Sequence, residues 1–488
     1  MIEKTQLVNI VGEDRIYDAD SVIDEYSHDM SFVNPVKPAL VVKPENAEQI
    51  TDIVNLAKET KTPLIPISSG PPHFRGDTVP CAEGAIIVDL SEMKNIINTN
   101  RRNRVVMFEP GVTFGELSAA VAKEGMRLNM PLLPRQSKSV VGSMLEREPV
   151  IMPKYHWDIS DPLACTEIIF GTGDMFRTGS AAGSGTIEEQ WAAGGVQKEA
   201  SGPSSVSWYR LIQGAQGGMG IVTWASARCE LTPSLERPYF IVASELEKVL
   251  EAVHWLVRLR LINECVILNS TNFALMNAAP GSSEYDALKQ KLPEWILFYN
   301  VAAYEFLTEE RMDGQTEDMI ELAQRLGVEP VTDVAGVSAD EFLKLTQKPS
   351  EESYWKLRQK GGCEDVLFLS IYDKLPDIID TMKSSAETAG YRADALGIYL
   401  QPIVQGSNCH CEFNLFYNPG DSSEVKIVRE LSASVVDKLI SKDAFFSRPY
   451  GASARKIIER DPATREALKK VKNIVDPLDI MNPGKIFI

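Results

Sequence analysis

Leu64-Ile-Pro-Ile-Ser-Ser-Gly-Pro-Pro-His-Phe-Arg-Gly-Asp77 is a strand-like apolar run that ends in a tight Ser/Gly/Pro loop. A second apolar run, Ala85-Ile-Ile-Val-Asp-Leu90, follows almost at once, and Glu109-Pro-Gly-Val112 marks a further turn. A loop of this composition turns backbone N–H groups toward an anion, which makes it a candidate phosphate cradle. Upstream, Ala39-Leu-Val-Val-Lys43 reads as a strand stopped by Pro44. Asn46 or Glu45 then caps a helix through Lys58, with Ile50, Ile53, Val54 and Ala57 at helical spacing on its apolar face. The result is a strand–helix–strand unit that delivers the chain to the glycine loop.

Residues 20–32 read as a short helix or turn. Further along, Arg104–Glu109 is strand-like, and Thr113 followed by Glu116 forms a capping box for a helix from Phe114 to Glu124. Residues 131–161 are rich in Pro, Ser and Gly and weakly periodic. Glu167–Phe170, Gly171–Asp174 and Met175–Arg177 read as strand, turn and strand, a hairpin. Residues 179–205 read as an ordered loop. A second dense glycine cluster, Gln213-Gly-Ala-Gln-Gly-Gly-Met-Gly220, precedes another strand. From Leu235 the texture changes. Helices at about 244–260 and 313–326 alternate with strand candidates at 366–370, 395–400 and 411–417, the signature of a second α+β domain. Its boundary with the C-terminal tail falls near 440–447.

A chain of 488 residues exceeds one ordinary core, so two domains are expected. The net charge of −18 argues against nucleic-acid or anionic-membrane partners. No apolar run is long enough for a transmembrane span, and the N-terminus lacks the basic-then-apolar pattern of a signal peptide. Seven scattered cysteines fit a reducing compartment, so a cytoplasmic location is expected. No GxGxxG opens a helix and no GxxxxGK[ST] is present, which removes a Rossmann or P-loop site. Two glycine loops beside strands still suggest a long, extended ligand held by backbone groups, such as a dinucleotide bound in a non-Rossmann way.

In order, the chain carries Val42-Lys-Pro-Glu-Asn46, Pro66-Ile-Ser-Ser-Gly70, Ile87-Val-Asp-Leu-Ser-Glu-Met93 and Phe108-Glu-Pro-Gly-Val-Thr113. Phe176-Arg-Thr-Gly179, Gly218-Met-Gly-Ile-Val-Thr223 and Asp476-Pro-Leu-Asp-Ile-Met-Asn-Pro-Gly-Lys485 follow. This series resembles the vanillyl-alcohol oxidase/4-cresol dehydrogenase family of FAD-linked oxidoreductases, closely in the FAD-binding parts and weakly across about 235–390. The resemblance implies an α+β fold, with a two-subdomain PCMH-type FAD-binding domain and an α+β cap on an antiparallel sheet. The FAD-binding domain would span 1–234, with 447–488 returning to it, and the cap 235–446. The resemblance assigns the FAD pyrophosphate to Ser68, Ser69, Gly70, Pro71, Pro72 and Gly76, with Pro66 and His73 also among the cofactor-binding residues. Pro110, Gly111, Gly142 and Ser143 would reinforce that loop. Gly218, Gly220, Ile221 and Val222 would pass the cofactor on the way to the cap, and Lys485 would close the domain.

Departures from the family pattern are as informative as matches. Members often link FAD covalently through histidine or tyrosine. Here Gly397 stands where one branch has its histidine, and His73 is displaced by one residue from the Ser-Gly-Gly-His position of another, so non-covalent FAD is expected. Relatives carry Tyr-Gly-Asp-His-Trp in the active site; this chain has Lys154-Tyr-His-Trp157, placing Tyr155 at the aspartate position and leaving Tyr155 or His156 to accept a proton. Relatives grip a phenolate with two tyrosines and an arginine. Here the resemblance puts Arg75 at the first tyrosine, Tyr450 near the second and Gly451 at the arginine, while Arg448 lies two residues before Tyr450. Arg75, Arg448 and Tyr450 would then form an anion site suited to a phenolate or carboxylate. In Cys409-His-Cys411 a strand points both cysteines one way and His410 the other. Glu412, on His410's side, is a second candidate acid/base group, and no second pair at useful spacing supports a metal.

The resemblance therefore implies an FAD-dependent dehydrogenase or oxidase of a small aromatic substrate, taking a hydride from a para-substituted phenolic or benzylic carbon onto flavin N5. A 2-hydroxy-acid dehydrogenase with a carboxylate-bearing substrate is the alternative enzyme, and a non-catalytic FAD-binding subunit of a redox complex is the alternative from another class. Electrons would leave to oxygen or an external protein acceptor, since no iron–sulfur or haem motif is present. The family also implies a homo-oligomer, a dimer above all.

Overall fold

The structure is a computed structural model that describes residues 2–153, 162–181, 186–192, 209–279, 283–352, 354–403 and 407–487. The strand–helix–strand reading holds. Leu40–Val42, Ile86–Asp89 and Leu64–Ile67 lie side by side in parallel, with Ile16–Tyr17 added antiparallel at the edge. The helix Ala47–Thr60 covers one face with Ile50, Ile53, Val54 and Ala57, all fully buried, and Asn46 caps it by accepting from the Gln49 N–H at 2.9 Å. On the other face the short helix Asp20–Ser27 seats Tyr26, whose hydroxyl donates to Asp89 at 2.7 Å.

The second sheet runs Ile96–Asn100, Val105–Phe108, Gly220–Leu231, Leu163–Phe170 and Met175–Arg177, with Met126–Leu128 also paired to the long Gly220–Leu231 strand. Its last two strands are the expected hairpin. The helix Phe114–Ala122 opens with the expected capping box: Thr113 Oγ1 accepts from the Glu116 N–H at 3.3 Å, and the Glu116 carboxylate accepts from the Thr113 N–H at 2.9 Å. Within the weakly periodic 131–161 stretch a short helix, Val140–Leu145, forms. The 179–205 stretch, read as a loop, contains a helix at Ile187–Ala192.

The third sheet is wholly antiparallel and has six strands: Leu235–Ala243, Trp295–Ala303, Glu264–Asn269, Gly397–Ile403, Asn408–Tyr417 and Gly362–Ser370. The first three escaped the sequence reading. Trp295–Ala303 and Glu264–Asn269 are buried along their whole length, so they lack the alternation that marks a half-exposed strand. Helices Leu246–Arg258, Thr308–Leu326, Leu375–Thr388 and Ser422–Ile440 cover one face of this sheet. The opposite face packs Phe240, Phe298 and Trp355 against Leu132, Leu133 and Ile151 from the first half of the chain.

The C-terminal segment packs on the first sheet. Met481 bridges Leu64 in parallel. Asp476 accepts from the Ile480 and Met481 N–H groups at 3.1 and 2.8 Å, and Lys472 ties Asp476 to the Gly218 carbonyl. No helix among the described residues is long and apolar enough to cross a membrane.

Candidate active site

Three adjoining cavities run from the glycine loops to the seam between the two halves. The first, about 120 Å³, is lined by Pro66, Ser68, Ser69, His73, Pro110, Gly142, Gly220 and Val222 among the expected cofactor residues, together with Gln216 and Gly217. Absence of side chains keeps it open: a Cβ on Gly142 would stand 3.0 Å from Ser68 Oγ, and one on Gly217, at φ +72°, 2.7 Å from the Pro66 ring. The remaining expected cofactor residues shape the loop. Gly70 offers its carbonyl to Arg135 at 2.8 Å, and Gly111 packs where a Cβ would meet the Leu90 carbonyl at 2.6 Å. Pro71 is exposed, Pro72 faces the second cavity and Gly76 the third. Ser143 donates to Glu148 at 2.6 Å, Ile221 is core, and Gly218 abuts the Phe487 ring. Lys485 donates to the Gly76 and Val79 carbonyls at 2.7 and 2.5 Å, so it is a clasp that holds the loop from the C-terminal side.

The second cavity, about 130 Å³, shares Ser69, His73, Asp77 and Glu146 with the first. Its far wall comes from the cap: Tyr354, Trp355 and Lys356 of a short turn, and Tyr399 and Glu412 of the sheet. Alternation on Asn408–Tyr417 sends Cys409 and Cys411 into the helix-covered core and turns His410, Glu412 and Asn414 to the other face. There Lys356 pairs with both Glu412 and Asp365, the latter at 3.0 Å. Asn414 donates to Asp365 and Glu412 at 2.7 and 2.8 Å, and Tyr354 donates to Asp365. Burial alone would raise the Glu412 carboxyl, but Lys356 outweighs it and holds the group well below the usual carboxylate range. Glu412 is thus an ionised, pinned anion. Burial pushes His410 down to about 4 against the pull of Glu412, 3.4 Å away, so its imidazole is neutral at pH 7.

The third cavity, about 640 Å³, is lined by all three residues expected to hold an anion: Arg75, Arg448 and Tyr450. The Arg75 guanidinium lies 5.2 Å from the Tyr450 ring centroid, a cation–π contact, and 3.6 Å from Glu148. One of its nitrogens, Nη1, is buried without a hydrogen-bond partner. Arg448 donates to the Glu146 carbonyl at 3.1 Å. Burial, then Arg75, lower the Arg448 pKa, yet a guanidinium stays charged. Burial and Glu146 raise the Tyr450 hydroxyl while both arginines oppose them. Burial would also raise Glu148, but Lys138, at 2.8 Å, and Arg75 bring it to about 2.

Tyr155 and His156 lie outside the described residues. Lys356, Asp365, Asp77, Lys138 and Glu148 were missed by sequence reading. The first two sit where the motif match is weakest, and the others carry no spacing signal that separates them from surface charges. Gly397, expected to be unable to link flavin, has a structural reason to be glycine: a Cβ there would stand 2.3 Å from Asn272 Oδ1.

The first two sheets, the third as a cap and the glycine-lined cavity between them define a PCMH-type FAD-binding architecture. Residues 38–179 match the family described as an FAD binding domain. The whole chain is similar to the solved structure of p-cresol methylhydroxylase with substrate bound, with a TM-score of 0.81 at 19% identity over 99% of this chain and 96% of that one. It is also similar to an uncharacterized FAD-linked oxidoreductase of Mycobacterium tuberculosis, 21% identical over 98% of this chain and 97% of the relative. Mitochondrial D-lactate dehydrogenase [cytochrome] of Arabidopsis thaliana is 20% identical over 99% of this chain and 79% of its own length. With an FAD binding domain matched over residues 38–179, the chain is an FAD-linked oxidoreductase.

Proposed function

We propose that this enzyme oxidises a small anionic aromatic substrate, a para-substituted phenol or benzylic alcohol. The observation that carries the proposal is the buried, unpartnered Nη1 of Arg75 beside Tyr450 and Arg448. A buried donor without a partner costs free energy unless a ligand supplies one. Residues 1–234 with 447–488 would hold FAD non-covalently along the glycine-lined cavity, and residues 235–446 would close over it. Bound FAD supplies a two-electron acceptor. The chain's own part is to hold the substrate oxygen as an anion through charge-assisted hydrogen bonds and to exclude water with the Phe74, Tyr354 and Trp355 wall. A phenolate raises electron density at its para carbon, which eases loss of the benzylic hydrogen with its electron pair.

A second reading, a 2-hydroxy acid, is favoured by the same two guanidinium groups, since the planar fork of arginine matches a carboxylate. The similarity to D-lactate dehydrogenase of Arabidopsis thaliana points the same way. The test is anaerobic mixing of the holoenzyme with 4-hydroxybenzyl alcohol or D-lactate while the visible flavin absorbance is followed. Bleaching by the phenol alone supports the first reading, bleaching by D-lactate alone the second, and bleaching by neither overturns both. Acid precipitation gives a separate check of the linkage: yellow colour released into the supernatant is expected for non-covalent FAD.

A further inference from the structure

The reaction proposed above needs a group that takes a proton from the substrate hydroxyl, and most acid/base groups around the second cavity are already committed. Glu412 is pinned by Lys356. Glu146 and Glu148 both pair with Lys138, at 2.9 and 2.8 Å. The imidazole of His73, though its Nε2 has no partner, is depressed to about 4 by burial and then by Arg135.

Asp77 differs from all of these. It lines both the glycine-bounded cavity and the cavity beneath the cap, at their junction, and its carboxyl makes no hydrogen bond or ion pair among the described residues. Its position is fixed through its backbone, where its carbonyl accepts from the Asn482 side-chain amide at 2.9 Å. We propose that Asp77 is a catalytic residue, the acceptor of the proton that a hydroxyl-bearing substrate releases in this cavity. In the oxidation of an alcohol the O–H proton would pass to the Asp77 carboxylate as the C=O bond forms, and FAD, when bound, would supply the acceptor for the C–H hydrogen and its electron pair.

The charges around Asp77 suit that role. Burial, then Glu146 from the end of the short helix and Asp29 from the N-terminal segment, raise its carboxyl; Arg75 on its own loop and Lys485 from the C-terminal clasp oppose them, and the balance lies at about 6. Tyr450 also feels the Asp77 charge, and His73 shares both cavities with it. A carboxylate with a proton affinity just below neutrality is ionised at pH 7 yet basic enough to take a proton.

The assignment rests on the function proposed above, so its test has one arm that needs no turnover. Benzoate, anionic throughout the range, is titrated into the holoenzyme from pH 5 to 8 and followed by perturbation of the flavin spectrum. Its affinity for the wild type falls about tenfold as Asp77 ionises, whereas Asp77→Asn binds it tightly at every pH. In the second arm, kcat/KM for 4-hydroxybenzyl alcohol and D-lactate shows an acid limb that Asp77→Asn abolishes, with kcat lowered at least a hundredfold while the flavin spectrum is retained. Glu146→Gln moves the limb to lower pH by removing a like charge, and Asp77→Glu restores part of kcat. Identical benzoate profiles in wild type and Asp77→Asn, or a limb that survives the substitution, overturn the assignment. A benzoate profile that depends on Asp77 in an enzyme that oxidises neither compound overturns the substrate reading, and the proton-acceptor role with it.

Discussion

Two buried charge clusters face the second cavity from opposite sides, and only one of them is closed. On the cap, every charge is paired: Lys356 is held between Asp365 and Glu412, with Asn414 and Tyr354 adding hydrogen bonds, while the neutral His410 Nε2 beside them has none. On the glycine-loop side, Arg75 Nη1 and His73 Nε2 are buried without a partner, and the half-buried Asp77 carboxyl has no hydrogen bond or ion pair among the described residues. Buried polar groups in a folded chain are nearly always paired, so a closed cluster is explained by the fold and an open one calls for a ligand. The cap cluster therefore reads as a structural floor that pins Glu412 against the cavity. The loop cluster reads as the part that meets substrate.

That contrast can be broken in graded steps. Lys356→Met should be the most damaging to stability, about 3–5 kcal/mol, because it leaves two carboxylates buried without a cation. Chemical denaturation checks this, and adding Glu412→Gln should recover part of the loss. The next effect is acid sensitivity. The folded-state pKa of His410, about 4, lies below its ordinary value, so its contribution is complete above about pH 6.5 and is lost as pH falls toward 4. The wild type should lose about 3 kcal/mol over that interval through this residue. His410→Gln should remove that share of the pH dependence in unfolding titrations.

The open cluster predicts the opposite pattern. Arg75→Ala or Arg448→Ala should weaken binding of an anionic ligand at least tenfold, about 1.4 kcal/mol, with a smaller effect on folding than Lys356→Met. Unchanged benzoate affinity in both variants would remove the anion site. The smallest effect belongs to a control outside both clusters: Thr113→Ala should cost about 1 kcal/mol through its lost N-cap and leave ligand binding untouched.

The two clusters also differ in how far the sequence exposed them. Arg75 and Tyr450 were found at motif positions and Arg448 as the arginine beside one, and the fold brings all three to one cavity although more than 370 residues separate the first from the others. Glu412 was found through strand alternation beside His410. Its partner Lys356 was not, because the pairing crosses from a short turn to a strand and leaves no local period. Asp77 was in plain view within the opening loop, but its spacing is that of any turn aspartate. Only the cavities on both sides of it, and the absence of a partner, set it apart.

Composition, capping signals and glycine placement by themselves determined the parallel strand–helix–strand unit, the Thr113 cap and the hairpin, because these depend on neighbours within a few residues. The tertiary structure decided the central strands of the cap, the clasping role of Lys485 and the division between closed and open charges. Burial on both faces erases periodicity, and the ionisation of a buried group depends on partners that only folding brings within reach.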